Sequence, residues 1–423
     1  MMSDKPNPSP ALSAPLSAER NVGADIVRIL ACFLVMSIHF LLHIGFYKYY
    51  ILGVNMHIML VMRMFFSICV PLFILLTGYL MVNKPLSARH YAKGMRVVWI
   101  YLLACAACIA YQIIFRGMGT WDSHFWDILN FKAAPYSWYI EMYLGLYLMI
   151  PFLNILYRHL PNKKWKLALV LTFVALNSLP KLLNSFHFLT PDWWTNPLVT
   201  DQYQKLVPGW WYYNTYPLTY YFIGAYLREY GLRLNGVVHR VLILFTLGLS
   251  TLFELWRSGG QTFSWGVGSE WDFLLTLILA VLVFSLLVQK DYSRLPGKLK
   301  GFLKYLSGLT LSMFLVSYIF DEEFYKILNE LIPSAPNRLP AYFVIVPAVF
   351  LASMALAAAL DLIYRLLRLI GEDIKSRVRL SRKTAVSEDA AESLPDADKD
   401  IANDLQPIPD IEICRISTIQ TEE

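Results

Sequence analysis

The chain is most constrained by a succession of long apolar runs, separated by polar loops whose charge alternates along the sequence. A helix crossing a bilayer needs about 20 mainly apolar residues, because no water is there to satisfy free backbone groups. That criterion gives ten spans, near residues 24–46, 56–82, 97–115, 137–157, 166–180, 214–230, 240–257, 271–289, 303–320 and 341–364. The loops after even-numbered spans are basic. They carry Lys84, Arg89, Lys93 and Arg96, then Arg158, Lys163, Lys164 and Lys166, then Arg228, Arg233 and Arg240, then Lys290, Arg294, Lys298 and Lys300. Loops after odd-numbered spans are neutral or acidic, as at Asp321, Glu322, Glu323 and Glu330. Lys and Arg in short loops are retained on the cytoplasmic side. The pattern predicts an all-α polytopic membrane helical bundle of about ten transmembrane helices, with both termini cytoplasmic.

Composition agrees. Hydrophobic residues make up 57% of the 423 and charged residues 16%, against about 25% charged in ordinary soluble domains. A soluble enzyme, a disordered scaffold, a disulfide-stapled secreted module and a nucleic-acid binder are excluded as first readings. The net charge of +6 divides unevenly: residues 371–423 hold 7 Lys and Arg against 13 Asp and Glu, which leaves 30 and 18 for the rest. Three regions follow: a Pro-, Ser- and Ala-rich cytoplasmic leader over 1–22 that is not a signal peptide, a membrane domain over 23–368, and a disordered acidic cytoplasmic tail over 369–423.

Inside an apolar span each ionisable side chain is costly and therefore a candidate for function. Arg28 and His39 share the first span, eleven residues apart. At about 100° and 1.5 Å per residue they lie on one helix face, roughly 16 Å apart, with Ala31, Cys32 and Val35 on the same strip. Arg28 either snorkels at the interface or holds a phosphate bidentately. His39, near mid-membrane, either bonds a neighbouring helix or serves as a neutral base. Arg63 in the second span either snorkels outward or faces the same cavity as His39, where it would bind a developing oxyanion. Pro71 in that span predicts a kink. Glu141 would pair with Arg63 or orient an acceptor hydroxyl, and Glu254 is a weaker candidate of the same kind. The stretch holding Trp193, Trp194, Tyr203, Trp210, Trp211, Tyr212, Tyr213 and Tyr216 suits an aromatic interface belt or a sugar-binding cleft. His39 and His43, one turn apart, lack a third metal ligand, and Cys105 and Cys108 are small helix-packing residues by context, so neither a metal nor a redox centre is expected.

Several of these residues form a pattern. Asp25, Arg28 and His39, the stretch Val70, Pro71, Leu72 and Phe73 followed by Thr77, Gly78, Tyr79 and Leu80, and the helix from Trp138 to Pro151 resemble the acyltransferase-3 family of integral-membrane O-acyltransferases. They are most similar to its branch that acetylates surface polysaccharides such as enterobacterial common antigen. The resemblance covers about residues 22–365. It implies a multi-pass protein of the bacterial inner membrane that moves an acyl group, as in O-acetyl transfer, from a cytosolic acyl-CoA co-substrate to a glycan hydroxyl, with no bound cofactor. On that basis His39 and Arg63 are expected to be catalytic and Arg28 to bind the donor. Glu141, Trp138, Trp210 and Trp211 would contact the acceptor. The expected partners are the bilayer, the acyl-CoA and the glycan. Two departures stand out: Ser317 occupies the place of a late histidine common in the family, and Thr77 replaces a serine. A transporter or exporter with a midplane site is the competing expectation, although no inverted repeat is visible.

Overall fold

The computed structural model describes residues 21–183, 185, 186, 188, 190–193, 215–263 and 270–392. Two compact units emerge, 1–362 and 363–423. The first is a helical bundle with an isolated β-bridge between Tyr50 and Thr262.

The helices are α1 (Val22–His43), α2 (Val54–Phe66), α3 (Cys69–Met81), α4 (Ala88–Arg116), α5 (Trp121–Leu129), α6 (Trp138–His159), α7 (Lys163–Leu183), α8 (Tyr216–Tyr230), α9 (Gly236–Ser258), α10 (Leu274–Gln289), α11 (Gly297–Leu331) and α12 (Tyr342–Glu392). Each of the ten expected spans coincides with helix. Eight segments are long and apolar enough to cross a membrane. The remaining two, α8 and α10, have 15 and 16 residues. They are buried over much of their length, α8 lying along α3 and α10 against α9 and α1.

The second expected span is broken: α2 stops at Phe66 and α3 starts at Cys69. A proline ring collides with the carbonyl four residues before it, which for Pro71 is Ser67, the residue that caps the end of α2. The α3–α8 crossing depends on two glycines. A Cβ on Gly78 would come within 2.0 Å of the Tyr221 carbonyl oxygen, and one on Gly224 within 2.1 Å of that of Leu75. Such close backbone approach is what small residues permit between membrane helices.

α1 packs on α11, α3 and α10 at the centre of the bundle. At the end away from the α1 N-terminus, Arg338 ties α1 to α11 through carbonyls alone. Its Nη1 donates to Ile44 (2.7 Å), its Nε to Ile332 (2.6 Å) and its Nη2 to Pro333 (2.8 Å) and Asn329 (3.4 Å). Asn329 Nδ2 in turn donates to the His43 carbonyl at 3.0 Å.

Two boundaries differ from expectation. α11 runs to Leu331, so the acidic run beginning at Asp321 is helical and does not form a loop. In the second unit helix continues to Glu392, where composition predicts disorder from 369. Arg368 and Glu372, and Asp373 and Arg377, each pair at 2.9 Å, and their i,i+4 spacing places opposite charges on adjacent helical turns.

Candidate active site

Asn21 caps α1, its Oδ1 accepting from the Ala24 amide at 3.2 Å. Two turns further on, Arg28 Nη1 donates to Ser307 Oγ of α11 at 2.7 Å and lies 3.8 Å from Asp25. Near the other end of the same α1 strip, His39 Nδ1 stands 3.0 Å from Asp321 Oδ2, whose residue is fully buried. A carboxylate only accepts, so it holds Nδ1 as the donor and leaves the lone pair of His39 on Nε2.

The same Asp321 oxygen accepts from the Tyr136 hydroxyl at 2.7 Å, and that hydroxyl lies 3.0 Å from His43 Nε2. One assignment satisfies every partner: His43 Nε2–H donates to Tyr136, and Tyr136 O–H and His39 Nδ1–H donate to Asp321. Burial, followed by the adjacent Asp321 charge, pushes the Tyr136 phenol well above its ordinary range, so it persists as a donor. The Tyr136 ring also lies on that of His39, 3.9 Å between centroids, and His43 stacks on Tyr325 at 5.0 Å. These contacts fix both imidazoles.

Arg63 does not snorkel. It is 4% exposed, its Nε donates to the Tyr47 hydroxyl at 2.8 Å, and its guanidinium carbon lies 5.2 Å from the Phe263 ring centre. Arg28, His39, Arg63 and Trp138 all line one cavity of about 410 Å³. Tyr136, Phe314 and Trp271 contribute to its wall. Two cations thus share a mainly apolar cavity with an oriented imidazole.

Glu141 is absent from that cavity and does not reach Arg63. It is exposed and lines a neighbouring cavity of about 720 Å³, which shares Trp138 and Trp271 with the first. Trp210 and Trp211 lie outside the described residues. Glu254 pairs with Arg257 at 3.3 Å, both buried. His57 is bonded to the Gly53 carbonyl at 2.7 Å. Ser317 donates to the Phe314 carbonyl of its own helix at 2.9 Å, one turn from Asp321. Among the described residues no three His, Cys, Asp or Glu side chains gather as a metal site.

A family model described as an acyltransferase domain, the acyltransferase-3 type, matches residues 21–360. The chain belongs to this family. Searches of curated proteins and of solved structures gave no match. The protein is thus a multi-pass membrane acyltransferase, and its family region includes every residue of the cavity just described.

Sequence reasoning missed two parts of this candidate site, Asp321 and Tyr136. For Asp321 a signal existed: the buried face of α11 recurs at Ser317, Asp321, Tyr325 and Leu328. That helical period continues through the acids and marks Asp321 as inward-facing. Tyr136 sits in a connection between helices, where no period operates.

Proposed function

We propose that this acyltransferase moves an acetyl or similar short acyl group from acyl-CoA at its basic, cytosolic end to a hydroxyl of a glycan arriving from the other side. The observation that carries this reading is His39, oriented by the buried Asp321 and lining a single cavity with Arg28 and Arg63.

The chemistry follows from the positions. Arg28, partly exposed near the basic end, is suited to the coenzyme's phosphates, because guanidinium binds them bidentately. His39 Nε2 takes the proton of the acceptor hydroxyl as its oxygen attacks the thioester carbonyl. Arg63 stabilises the oxyanion of the tetrahedral intermediate, in surroundings where few competing dipoles weaken it. When that intermediate collapses the C–S bond breaks, and the imidazolium returns its proton to the leaving thiolate. Asp321 offsets the imidazolium charge in between. The products are an O-acyl ester and the free thiol.

The test is transfer by the purified protein in nanodiscs, using labelled acetyl-CoA and a membrane glycan extract. His39→Ala is expected to insert normally and to abolish label transfer. Full activity in that variant would remove His39 from the mechanism.

A further inference from the structure

We propose that Tyr136 and His43 are positioning residues for the transfer step: the phenol, aimed by His43, keeps Asp321 ionised, so that the imidazolium of His39 holds its protons until one passes to the leaving thiolate. The inference rests on the acyl-transfer reading and concerns the proton of that step.

Two donors meet on one oxygen. Asp321 Oδ2 receives His39 Nδ1 at 3.0 Å and the Tyr136 hydroxyl at 2.7 Å, while Oδ1 is buried with no hydrogen-bond partner among the described residues. In apolar surroundings an imidazolium and a carboxylate become neutral by passing the shared proton across, because burial penalises each ion. A second donor on the carboxylate opposes this, since a hydrogen bond to the charged form favours it. The consequence falls on the second half of the reaction. An imidazole that has lost its Nδ1 proton to Asp321 is a far weaker acid towards the thiolate than an imidazolium. A phenol suits this duty: it has one hydrogen to give, and burial, followed by the Asp321 charge, keeps that hydrogen on the oxygen.

His43 fixes where that hydrogen points. Its Nε2, 3.0 Å from the phenol oxygen, donates to a lone pair there and leaves the hydrogen to Asp321, and bonds linked in this way strengthen one another. The His43 ring is held by its stack on Tyr325, with planes 3° from parallel. The connection carrying Tyr136 is held as well. Phe131 has a φ of 54°, a left-handed conformation that is costly for an aromatic residue. It is retained because the surrounding bonds over-determine it: Tyr101 donates to the Ile128 carbonyl, Ser137 Oγ to that of Ala134 at 2.6 Å, and the Lys132 amide to that of Asp127 at 2.8 Å. The other charged or titratable groups around this chain are Glu322, Tyr318 and Tyr325 of α11, with Arg28, Arg63 and the tyrosines of the cavity wall. All of them are untouched in Tyr136→Phe, which also keeps the ring that lies on His39.

The experiment measures the pH profile of kcat/KM for labelled acetyl-CoA, using the full-length protein in nanodiscs with a membrane glycan extract. The imidazole titrations of the same nanodiscs are followed by nitrogen NMR of labelled histidine, which needs no turnover. Losing the phenol's bond raises the proton affinity of the His39–Asp321 pair. Tyr136→Phe is therefore expected to move the acid limb upward by about half a pH unit or more, with the KM for acetyl-CoA changed little. His43→Ala is expected to move it less and in the same direction, and His43→Gln, whose amide still donates to the phenol, to move it back. A Tyr136→Phe profile lowered by one factor at every pH, or an acid limb that stays or moves downward, overturns the proposal while leaving acyl transfer standing. An unmoved limb in His43→Ala removes His43 from it. If Tyr136→Phe fails to insert, an unmoved limb in His43→Ala overturns the whole. If the parent transfers no label, the acyl-transfer reading falls, and an unmoved NMR titration in Tyr136→Phe then overturns the chain by itself.

Discussion

His39 Nδ1 and Asp321 Oδ2 lie 3.0 Å apart across the α1–α11 contact, although 282 residues separate them in the chain. The carboxylate selects the tautomer of the imidazole and leaves the basic lone pair on Nε2. Asp321→Asn is accordingly expected to lower kcat by about 10²–10⁴, since an amide can present either a donor or an acceptor to Nδ1 and no longer enforces the basic Nε2. On the proposed placement of the donor near Arg28, KM for acyl-CoA should change little. Steady-state kinetics on protein of unaltered thermal stability checks this; a kcat within twofold of the parent would refute the role of Asp321.

Arg63 is fixed by Tyr47 and lies over Phe263. If it meets the oxyanion, Arg63→Gln should reduce kcat by roughly 10²–10³, the usual loss for one such donor. Arg63→Lys should recover only part, because an ammonium cannot keep both the Tyr47 bond and a second, fixed donor direction. Comparing kcat across the three proteins at saturating acetyl-CoA decides it.

Arg338 donates to four carbonyls from the ends of α1 and α11, the two helices that bring His39 and Asp321 together. Removing it would leave buried acceptors unsatisfied, each costing about 1–3 kcal/mol. Arg338→Ala is therefore expected to lower the detergent-solubilised Tm by several degrees, with Arg338→Lys nearly as damaging. A Tm within one degree of the parent for both would show that the clamp is not needed.

Asp272 gives a pH prediction. Burial, opposed by Lys181 and reinforced by Glu270, pushes its carboxyl up to about 6 from an ordinary 3.8. A carboxyl raised by folding favours the protonated form in the folded state. Its stabilising contribution is complete below the ordinary value and is lost as pH rises through about 6. Between pH 4 and pH 7 the parent should lose more stability than Asp272→Asn, by about 3 kcal/mol at most. Thermal melts of both proteins across that range should therefore diverge; parallel pH profiles would contradict the shift.

Much of the fold is legible in local pattern. Apolar runs of bilayer length mark the helices, and the loop charges give a consistent alternation because each hairpin reverses direction. Arg28 and His39 were legible as one face because a single helix's 3.6-residue period relates them. The break before Pro71 likewise follows from a clash four residues back. The acidic run at 321–323 misled for a related reason. Charge suggests a loop, yet α11 continues because Glu322 pairs with Arg116 of α4 at 2.9 Å and Asp321 turns inward to His39. Of the two expectations for Glu141, the pairing with Arg63 is not formed, since its depth is legible in the sequence but its direction around α6 is not.

The sequence by itself determined a polytopic helical membrane protein, its acyltransferase motifs, and a strip on α1 carrying a cation and an imidazole. These are properties of one helix at a time, fixed by hydrophobic length and helical period. Only the tertiary structure decided that Asp321 and Tyr136 bond to the histidines of α1, that Arg63 turns inward, and that two stacked indoles line two neighbouring cavities. Those relations join segments up to hundreds of residues apart. They arise from which helix faces pack together, including close approach at Gly78 and Gly224, and no local period encodes that choice.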